Sequence, residues 1–236
     1  PAAARSSEIV TVDAGRGPVD LYVPVQAVTN TARPLVLLLH GYGASGDEQE
    51  GYMRFSELVD ELGFFYAHPD GKADLTGRRY WNATDACCDF FSTEVDDSAY
   101  VADIIKEVKA QFTVDNHRIY LVGHSNGGFM SYRAAYEHSN TIAAIASLAG
   151  ATHIEERDAP ANPVHVLQIH GTADGTIAYE GSHILQNYYP SALETVQRWA
   201  KYNGCKAEGE ARELRDVVST LEGHESSTVV FKQGCK

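Results

Sequence analysis

Short apolar runs alternate with helical segments along this chain, and that alternation constrains the fold more than any other feature. Five runs lack the regular polar alternation of a strand with one solvent-facing side, as is typical of strands inside a covered parallel sheet. They predict buried strands at residues 35–39, 64–67, 119–122, 142–148 and 164–169. Residues 8–12 and 19–25 predict two further strands, separated by a turn that contains Gly and Pro.

Helical patterns lie between the strands. Residues 97–111 place four apolar side chains on one face behind the acidic pair Asp96-Asp97, and negative charge favours a helix N-terminus. Residues 129–138 and 191–202 predict two more helices. Strands that alternate with helices indicate an α/β fold, with a mostly parallel sheet and helices on both faces. Neither a repeat nor a linker divides the 236 residues, so we predict a single domain over residues 1–236.

The charge balance argues against two classes of partner. The chain has 19 basic and 32 acidic residues, a formal net charge of −13, and no basic cluster. Phosphate and anionic lipid would repel such a surface, so we expect neither nucleic acid nor membrane as a partner. No apolar run approaches the ~18 residues of a membrane span. A small-molecule or polymeric neutral substrate fits this surface better.

The strongest local signal for chemistry is the segment Gly-His-Ser-Asn-Gly-Gly at residues 123–128. It follows a predicted strand directly and precedes a predicted helix, which is the context of a nucleophile elbow. A serine in such a strained turn needs glycine neighbours, because larger side chains would clash. This pattern predicts Ser125 as a nucleophile whose hydroxyl projects above the sheet.

Two further motifs follow predicted strands. The His-Gly-Tyr-Gly turn at residues 40–43 leaves a backbone N–H that, together with the N–H of Asn126, would form an oxyanion hole. Asp174 lies in a His-Gly-Thr-Ala-Asp segment after the strand at residues 164–169. A carboxylate at this position fits the acid of a catalytic triad whose members follow one another in the chain as Ser, Asp and His. That acid holds the histidine ring in one tautomer.

These motifs, with Tyr80-Trp81-Asn82 and Asp96-Asp97, resemble the polyhydroxybutyrate depolymerase and feruloyl esterase group of α/β-hydrolases. The resemblance extends from about residue 19 to the end. It implies the α/β-hydrolase fold, secretion, no cofactor or metal, and hydrolysis of feruloyl, short acyl or polyhydroxyalkanoate-type esters. It also implies site roles: the nucleophile is Ser125, the acid is Asp174, and the oxyanion donors are Tyr42 and Asn126.

The catalytic histidine is harder to place, because in this fold it follows the acid. Only His183 and His224 come after Asp174, and His183 follows it by too few residues. His224 follows a possible strand at residues 217–221. The resemblance instead places the base on a Gly-rich loop after one more strand, which would pair with residues 228–231. We therefore expect a chain that lacks its last strand and its histidine loop, with His224 as the alternative base.

Four cysteines and several aromatic residues complete the expectations. Cys205 and Cys235 could close one disulfide loop, whereas Cys87 and Cys88 could pair with each other or elsewhere. An even cysteine count and a start at Pro1 are compatible with a processed, secreted protein.

Trp81 and His124 are candidate substrate-binding residues, although aromatic residues in the irregular loop at residues 70–94 could equally pin that loop. The rival functions are a serine peptidase and a non-catalytic ester- or carbohydrate-binding relative.

Overall fold

A seven-stranded sheet forms the centre of the computed structural model, which describes residues 7–28 and 31–236. In chain order the strands are β1 (Glu8–Asp13), β2 (Pro18–Val23), β3 (Arg33–Leu39), β4 (Phe65–Ala67), β5 (Lys72–Ala73), β6 (Arg79–Tyr80), β7 (Val114–His124), β8 (Ala144–Leu148), β9 (His165–Ile169), β10 (Ser182–Ile184), β11 (Asn187–Tyr189), β12 (Glu210–Ala211) and β13 (Val229–Val230). The central order is β1-β2-β4-β3-β7-β8-β9.

The pairing within this sheet is mostly parallel. Strands β1, β2 and β4 pair antiparallel, whereas β4, β3, β7, β8 and β9 are joined by parallel pairings. The five strands predicted from apolar runs and the two predicted at the N-terminus all belong to it, with ends that differ by up to five residues. The predicted mostly parallel α/β fold is confirmed.

The helices are α1 (Gly46–Met53), α2 (Val59–Leu62), α3 (Asp97–Gln111), α4 (Asn126–Glu137) and α5 (Ala192–Tyr202). Helix α3 has the predicted bounds, and the Asp96 side chain caps it by accepting from the Ala99 N–H. Helix α1 was not predicted because its sequence is almost entirely polar. Its signal is the capping box that Ser45 and Glu48 form. In the part of the chain that the structure describes, no helix combines the length and apolar character needed to cross a bilayer.

Strand β3 shows how the sheet is covered on both faces. Successive side chains of a strand point to opposite faces. Leu35, Leu37 and Leu39 belong to the larger apolar cluster, which includes residues of α3, α4 and α5. Val36 and Leu38 belong to a second cluster with Val59 of α2 and partly buried Met53 of α1. Helices therefore cover both faces, as the absence of polar alternation in residues 35–39 predicted.

The C-terminal segment corrects one prediction and shortens a second. Residues 217–221 form no strand; their sequence is largely exposed, so no core face holds them extended. The strand predicted at residues 228–231 is the shorter β13, which pairs with β12. A further partner strand after residue 236 stays a prediction. A disulfide joins Cys205 to Cys235 across a separation of 30 residues, as predicted. Cys87 and Cys88 bond to each other.

Candidate active site

Ser125 occupies the turn between β7 and α4, at the carboxyl end of the strand. Its backbone has φ 52° and ψ −119°, a region that residues with a side chain rarely adopt. Its N–H donates to the Leu148 carbonyl at 2.8 Å, and its carbonyl accepts from the Phe129 N–H at 3.0 Å. The sheet and helix α4 thus hold a strained turn, and such strain concentrates at functional sites.

Glycines allow this turn to fit against the neighbouring strand. A Cβ atom on Gly123 would lie 2.1 Å from the carbonyl oxygen of Gly127. One on Gly127 would lie 2.1 Å from the carbonyl oxygen of Leu39. Both contacts are with backbone that cannot rotate away, so these positions require glycine for close approach. This is the steric reason predicted for the glycine-rich segment.

Two backbone N–H groups beside Ser125 are free. A Cβ on Gly41 would lie 3.6 Å from the Ser125 Cβ, so the turn after β3 packs against the elbow. Among the described residues, neither the Tyr42 N–H nor the Asn126 N–H has a hydrogen-bond acceptor. Asn126 is also the first residue of α4, where the helix dipole favours negative charge. The two donors therefore have the free hydrogens that an oxyanion hole requires.

The side chain of Asn126 has a different task from its backbone. It is fully buried; its Oδ1 accepts from the Trp81 N–H at 2.7 Å, and its Nδ2 donates to the Trp81 carbonyl at 2.9 Å. Nδ2 also lies 3.4 Å from the Cys87 sulfur. The residue after the nucleophile thereby clamps the long loop at residues 70–94 onto the elbow.

Trp81 is not available to a substrate, which corrects its assignment as a substrate-binding residue. Its side chain is 0% exposed, and its indole N–H donates to the His40 carbonyl at 3.1 Å. Its ring packs against the His40 imidazole at 5.0 Å and the Tyr100 ring at 6.5 Å. Trp81 therefore supports, from inside the protein, the turn at residues 40–43, which we call the oxyanion turn after its predicted role.

His40 is locked in one neutral tautomer. Its Nδ1 donates to the Gly41 carbonyl at 2.8 Å, and its Nε2 accepts from the Gly71 N–H at 2.9 Å. Burial lowers the pKa of His40, which favours the uncharged ring that this arrangement needs. Both nitrogens are engaged, so His40 links the oxyanion turn to residue 71 and has no nitrogen free to act as a base.

Gln49 of helix α1 is a site residue that sequence reasoning missed. Its side chain is buried, and its Oε1 accepts from the Gly41 N–H at 3.3 Å and from His124 Nδ1 at 3.1 Å. It therefore joins the oxyanion turn to the residue before the nucleophile. The only sequence signal was the capping box that begins α1.

His124 is half-buried and directly precedes Ser125, and its role as a substrate-binding residue stays a prediction. Tyr52, 68% exposed, stacks on its ring with centroids 5.9 Å apart. Burial lowers the pKa of His124, and the negative charge of Asp174 acts in the opposite direction. Tyr52 and His124 thus place an accessible aromatic surface next to the elbow.

Asp174 lies in the turn after β9. Its Oδ1 accepts from the N–H groups of Thr176 at 2.8 Å and Ile177 at 3.0 Å. Its Oδ2 has only a 3.8 Å contact with His170 Nε2. That contact is too long for a hydrogen bond, so Oδ2 is free to accept an imidazole N–H. Two backbone donors fix the carboxylate, which suits it to orient a histidine.

The described residues bring no histidine nitrogen to the Ser125 hydroxyl. His170 Nε2 donates to the Ile177 carbonyl at 2.7 Å, and its Nδ1 accepts from Gln168 at 3.1 Å. His183 is exposed on the β10–β11 hairpin, with its ring 5.2 Å from that of Tyr188. His224 is exposed in the C-terminal segment and makes no hydrogen bond with Ser125 or Asp174. Among the described residues, the turn at residues 40–43 packs against Ser125 and the charge of Asp174 acts on neighbouring His124, but no histidine makes a hydrogen bond with Ser125.

Tyr42 also forms part of the site rim. Its hydroxyl donates to Asp74 at 2.6 Å, and the Phe90 ring packs edge-on at 5.2 Å. Desolvation alone would raise the pKa of Asp74, but hydrogen bonds from Thr76 and Tyr42 lower it to about 2. Asp74 therefore stays an ionised acceptor for Tyr42. Phe90 and Phe91, 37% and 40% exposed, are accessible aromatic rings of this loop.

A metal-dependent arrangement is not visible around Ser125. Over residues 7–28 and 31–236, no three His, Cys, Asp or Glu side chains converge closely enough to hold a metal ion. The groups described above suit nucleophilic attack at a carbonyl instead. Ser125 lies in a strained turn, two N–H groups near it have no acceptor among the described residues, and two backbone donors hold the Asp174 carboxylate after β9.

Sequence comparison agrees with this geometry. The family described as phospholipase/carboxylesterase matches residues 22–225. The chain is 32% identical to a bifunctional acetylxylan esterase/xylanase of Neocallimastix patriciarum over 176 residues, which are 74% of this chain and 24% of that protein. It is 31% identical to feruloyl esterase B of Piromyces equi over 186 residues, or 75% of this chain and 34% of that protein. The chain thus spans about a quarter to a third of these curated relatives.

Solved structures support the fold. An acetyl xylan esterase from Aspergillus awamori superposes with a TM-score of 0.62 at 16% identity, covering 88% of this chain and 84% of that one. A thermostable esterase gives a TM-score of 0.54 at 17% identity, covering 84% of this chain and 51% of that one. Together with the family match, these similarities confirm the predicted α/β-hydrolase fold.

Proposed function

The chain belongs to the phospholipase/carboxylesterase family, and from this premise we propose that it is a serine carboxylesterase acting through an acyl-enzyme. One observation carries the proposal. Ser125 occupies a strained turn with φ 52°, the turn after β3 packs against it, and the N–H groups of Tyr42 and Asn126 have no acceptor among the described residues. A glycine-rich turn with only a structural role does not need two unpaired amide donors beside a serine hydroxyl.

The mechanism follows from these roles. The Ser125 hydroxyl attacks the ester carbonyl while a base removes its proton. The oxygen that becomes negative is stabilised by the N–H groups of Tyr42 and Asn126. The alcohol leaves with a proton from the base, and water then attacks the acyl-enzyme by the same steps. Asp174 orients the base through its free Oδ2. Two assignments of the base stay predictions: a histidine outside residues 1–236, and His224.

We propose esters of plant polysaccharides as the substrate class. Two relatives above 30% identity are named as a feruloyl esterase and an acetylxylan esterase/xylanase. The accessible aromatic rings of Tyr52, Phe90 and Phe91 are suited to stack on an aromatic acyl group. Polyhydroxyalkanoate-type esters stay a prediction from the motif resemblance. The net charge of −13 also favours a neutral substrate over an anionic one.

We also propose that the protein is secreted. All four cysteines form disulfides, Cys87 with Cys88 and Cys205 with Cys235. Structural disulfides persist in oxidising compartments and are rare in the cytosol. Detection of the disulfide-bonded protein outside cells of its source organism would test this proposal.

The nucleophile is tested with Ser125→Ala and, as a matched control, Ser219→Ala, which changes an exposed serine outside the site. Hydrolysis of p-nitrophenyl acetate, p-nitrophenyl butyrate and methyl ferulate should fall by about 10⁴-fold or more only in Ser125→Ala. A fluorophosphonate should label Ser125, as peptide mapping would show. Labelling of another serine would overturn the assignment. A folded natural protein that neither hydrolyses esters nor is labelled would support the non-catalytic alternative.

A further inference from the structure

Gln49 of helix α1 lies between two parts of the site, and the reaction described above gives it no role. Its side chain is 4% exposed, although glutamine is usually found at the surface. A buried amide costs free energy unless its polar atoms are paired. The Oε1 atom accepts from the Gly41 N–H at 3.3 Å and lies 3.1 Å from His124 Nδ1. One buried oxygen therefore contacts both the oxyanion turn and the residue before Ser125.

These two contacts fix the orientation of the amide and the tautomer of His124. A backbone N–H can only donate, so the atom of Gln49 that faces Gly41 is the carbonyl oxygen and not the amide nitrogen. That oxygen can only accept, so the hydrogen of the neutral His124 ring lies on Nδ1. Burial lowers the pKa of His124, which favours the neutral ring. The lone pair of this ring is thereby left on Nε2.

The oxyanion turn has paired N–H groups on both sides of its predicted donor. The Gly41 N–H donates to Gln49, and the Gly43 N–H donates to the Arg79 carbonyl at 2.8 Å. Among the described residues, the N–H of Tyr42 between them has no acceptor. Loss of the Gln49 acceptor would leave a second N–H unpaired next to this donor. The peptide could then turn, because glycine restricts its own backbone little.

Helix α1 gives Gln49 a fixed support. Gly46 in its first turn packs against the segment after β4, since a Cβ atom there would lie 1.9 Å from the His68 carbonyl oxygen. Further along the helix, the Glu50 carboxylate accepts from the hydroxyl of Tyr66, a buried residue of β4. Both contacts tie the helix to the sheet. A side chain on such an anchored element positions its partners more precisely than one on a loop.

The oxyanion turn and the elbow approach each other at the point that Gln49 bridges. A Cβ atom on Gly41 would lie 3.6 Å from both the Ser125 Cβ and His124 Nδ1. Donors of an oxyanion hole stabilise the developing charge only when their distance to it is right. A displacement of about 1 Å at a reacting centre can cost about 10²-fold in rate. The spacing between turn and elbow is therefore a property that catalysis depends on.

We propose that Gln49 is a positioning residue for ester hydrolysis. The inference rests on the proposed esterase function, which supplies the reaction that the positioning serves. Gln49 acts by holding Gly41, and through it the Tyr42 N–H, at a fixed distance from the Ser125 turn. Negative charge on the carbonyl oxygen develops only in the transition state, so the effect of Gln49 belongs to kcat and not to substrate binding.

Gln49→Met is the kinetic test, because it keeps the length of the side chain and removes the acceptor. For p-nitrophenyl butyrate and methyl ferulate, kcat and kcat/KM should fall together by about 10- to 100-fold, with KM within about threefold of the natural value. Gln49→Glu keeps an oxygen acceptor at the same reach and should restore kcat to within about tenfold. Gln111→Met, at an exposed glutamine of α3, is the matched control and should change neither constant.

Nitrogen NMR tests the geometry without turnover. In the natural protein, the ring-nitrogen shifts of His124 should report the Nδ1–H tautomer, and the Gly41 N–H should be protected from hydrogen exchange. In Gln49→Met, the His124 hydrogen should move to Nε2 and the protection of Gly41 should fall about tenfold or more. Gln111→Met should leave both signals unchanged. A variant that is only less stable would lose protection across the sheet as well, and would keep the tautomer.

The outcomes separate this inference from the esterase proposal. Unchanged kcat in folded Gln49→Met, with an active natural protein, would overturn the inference alone. A raised KM at unchanged kcat would also overturn it, because Gln49 would then bind substrate. An Nε2–H tautomer of His124 in the natural protein would contradict the contact that carries the argument. Absence of ester hydrolysis by the natural protein would overturn the esterase function, and with it the catalytic role of Gln49.

Discussion

Replacement of Asn126 by alanine separates the two tasks that this residue performs. The change removes the side-chain clamp on the Trp81 backbone, with its 2.7 Å and 2.9 Å hydrogen bonds, and keeps the backbone N–H at position 126. The Trp81 N–H is then buried without an acceptor. The Trp81 carbonyl keeps only the Cys88 N–H at 3.4 Å. Each buried group left unsatisfied costs about 1–3 kcal/mol.

We therefore expect Asn126→Ala to lower the unfolding free energy by about 2–4 kcal/mol. For a domain of this size the melting temperature falls by about 2–4 °C per kcal/mol, which gives roughly 5–15 °C. Urea unfolding should show a lower midpoint with an unchanged m-value, because the surface exposed on unfolding hardly changes. Asn140→Ala, at an exposed asparagine, is the matched control and should change stability by less than about 0.5 kcal/mol.

Activity provides the second half of this test. At a temperature where the variant is folded, ester hydrolysis should stay within about tenfold of the natural protein, because the backbone donor remains. A stability loss below about 1 kcal/mol would refute the clamp. Activity as low as that of Ser125→Ala, in a protein shown to be folded, would instead mean that the Asn126 side chain takes part in the chemistry.

Three further predictions address the disulfide, the buried histidine and the base. Replacing both Cys205 and Cys235 with alanine should lower the unfolding free energy by roughly 3.5–4 kcal/mol, from the loop-closure entropy of a 30-residue separation; an unchanged urea midpoint would contradict this. Burial lowers the pKa of His40 below its unfolded value of 6.5. As the pH falls below that value, the unfolded chain therefore binds more protons than the folded protein does. Stability should then be complete above about pH 6.5 and fall towards pH 5, less steeply in His40→Gln, as urea titrations at several pH values would measure. His224→Ala should leave hydrolysis unchanged if the base is another histidine, and loss of activity with intact folding would identify His224 as the base.

Part of the candidate site could be predicted from sequence because its signals are local. The order of strand, glycine-rich turn and helix around Ser125 is set by sterics over six residues, and the strained φ of Ser125 agrees with it. Five strands of the sheet could be predicted because covered strands lack polar alternation, and the turn with Gly and Pro between residues 12 and 19 indicated the two N-terminal strands. Helix α1 and Gln49 were missed because a short polar helix has no apolar periodicity. The strand expected at residues 217–221 failed because local β-propensity decides little without a core face to pack against.

The amino-acid sequence alone determined the α/β fold class, the elbow and the identity of the groups at the strand ends, because each depends on contacts between neighbours in the chain. Only the tertiary structure decided what the long loop at residues 70–94 does. Folding buries Trp81, which its position in an irregular loop made a candidate substrate-binding residue, and its indole N–H donates to the His40 carbonyl. It also brings Thr84 to the wall of one cavity with His153, 69 positions later in the chain. Such juxtapositions depend on how the loop packs against the sheet and helix α4, and no periodicity within the loop encodes that packing.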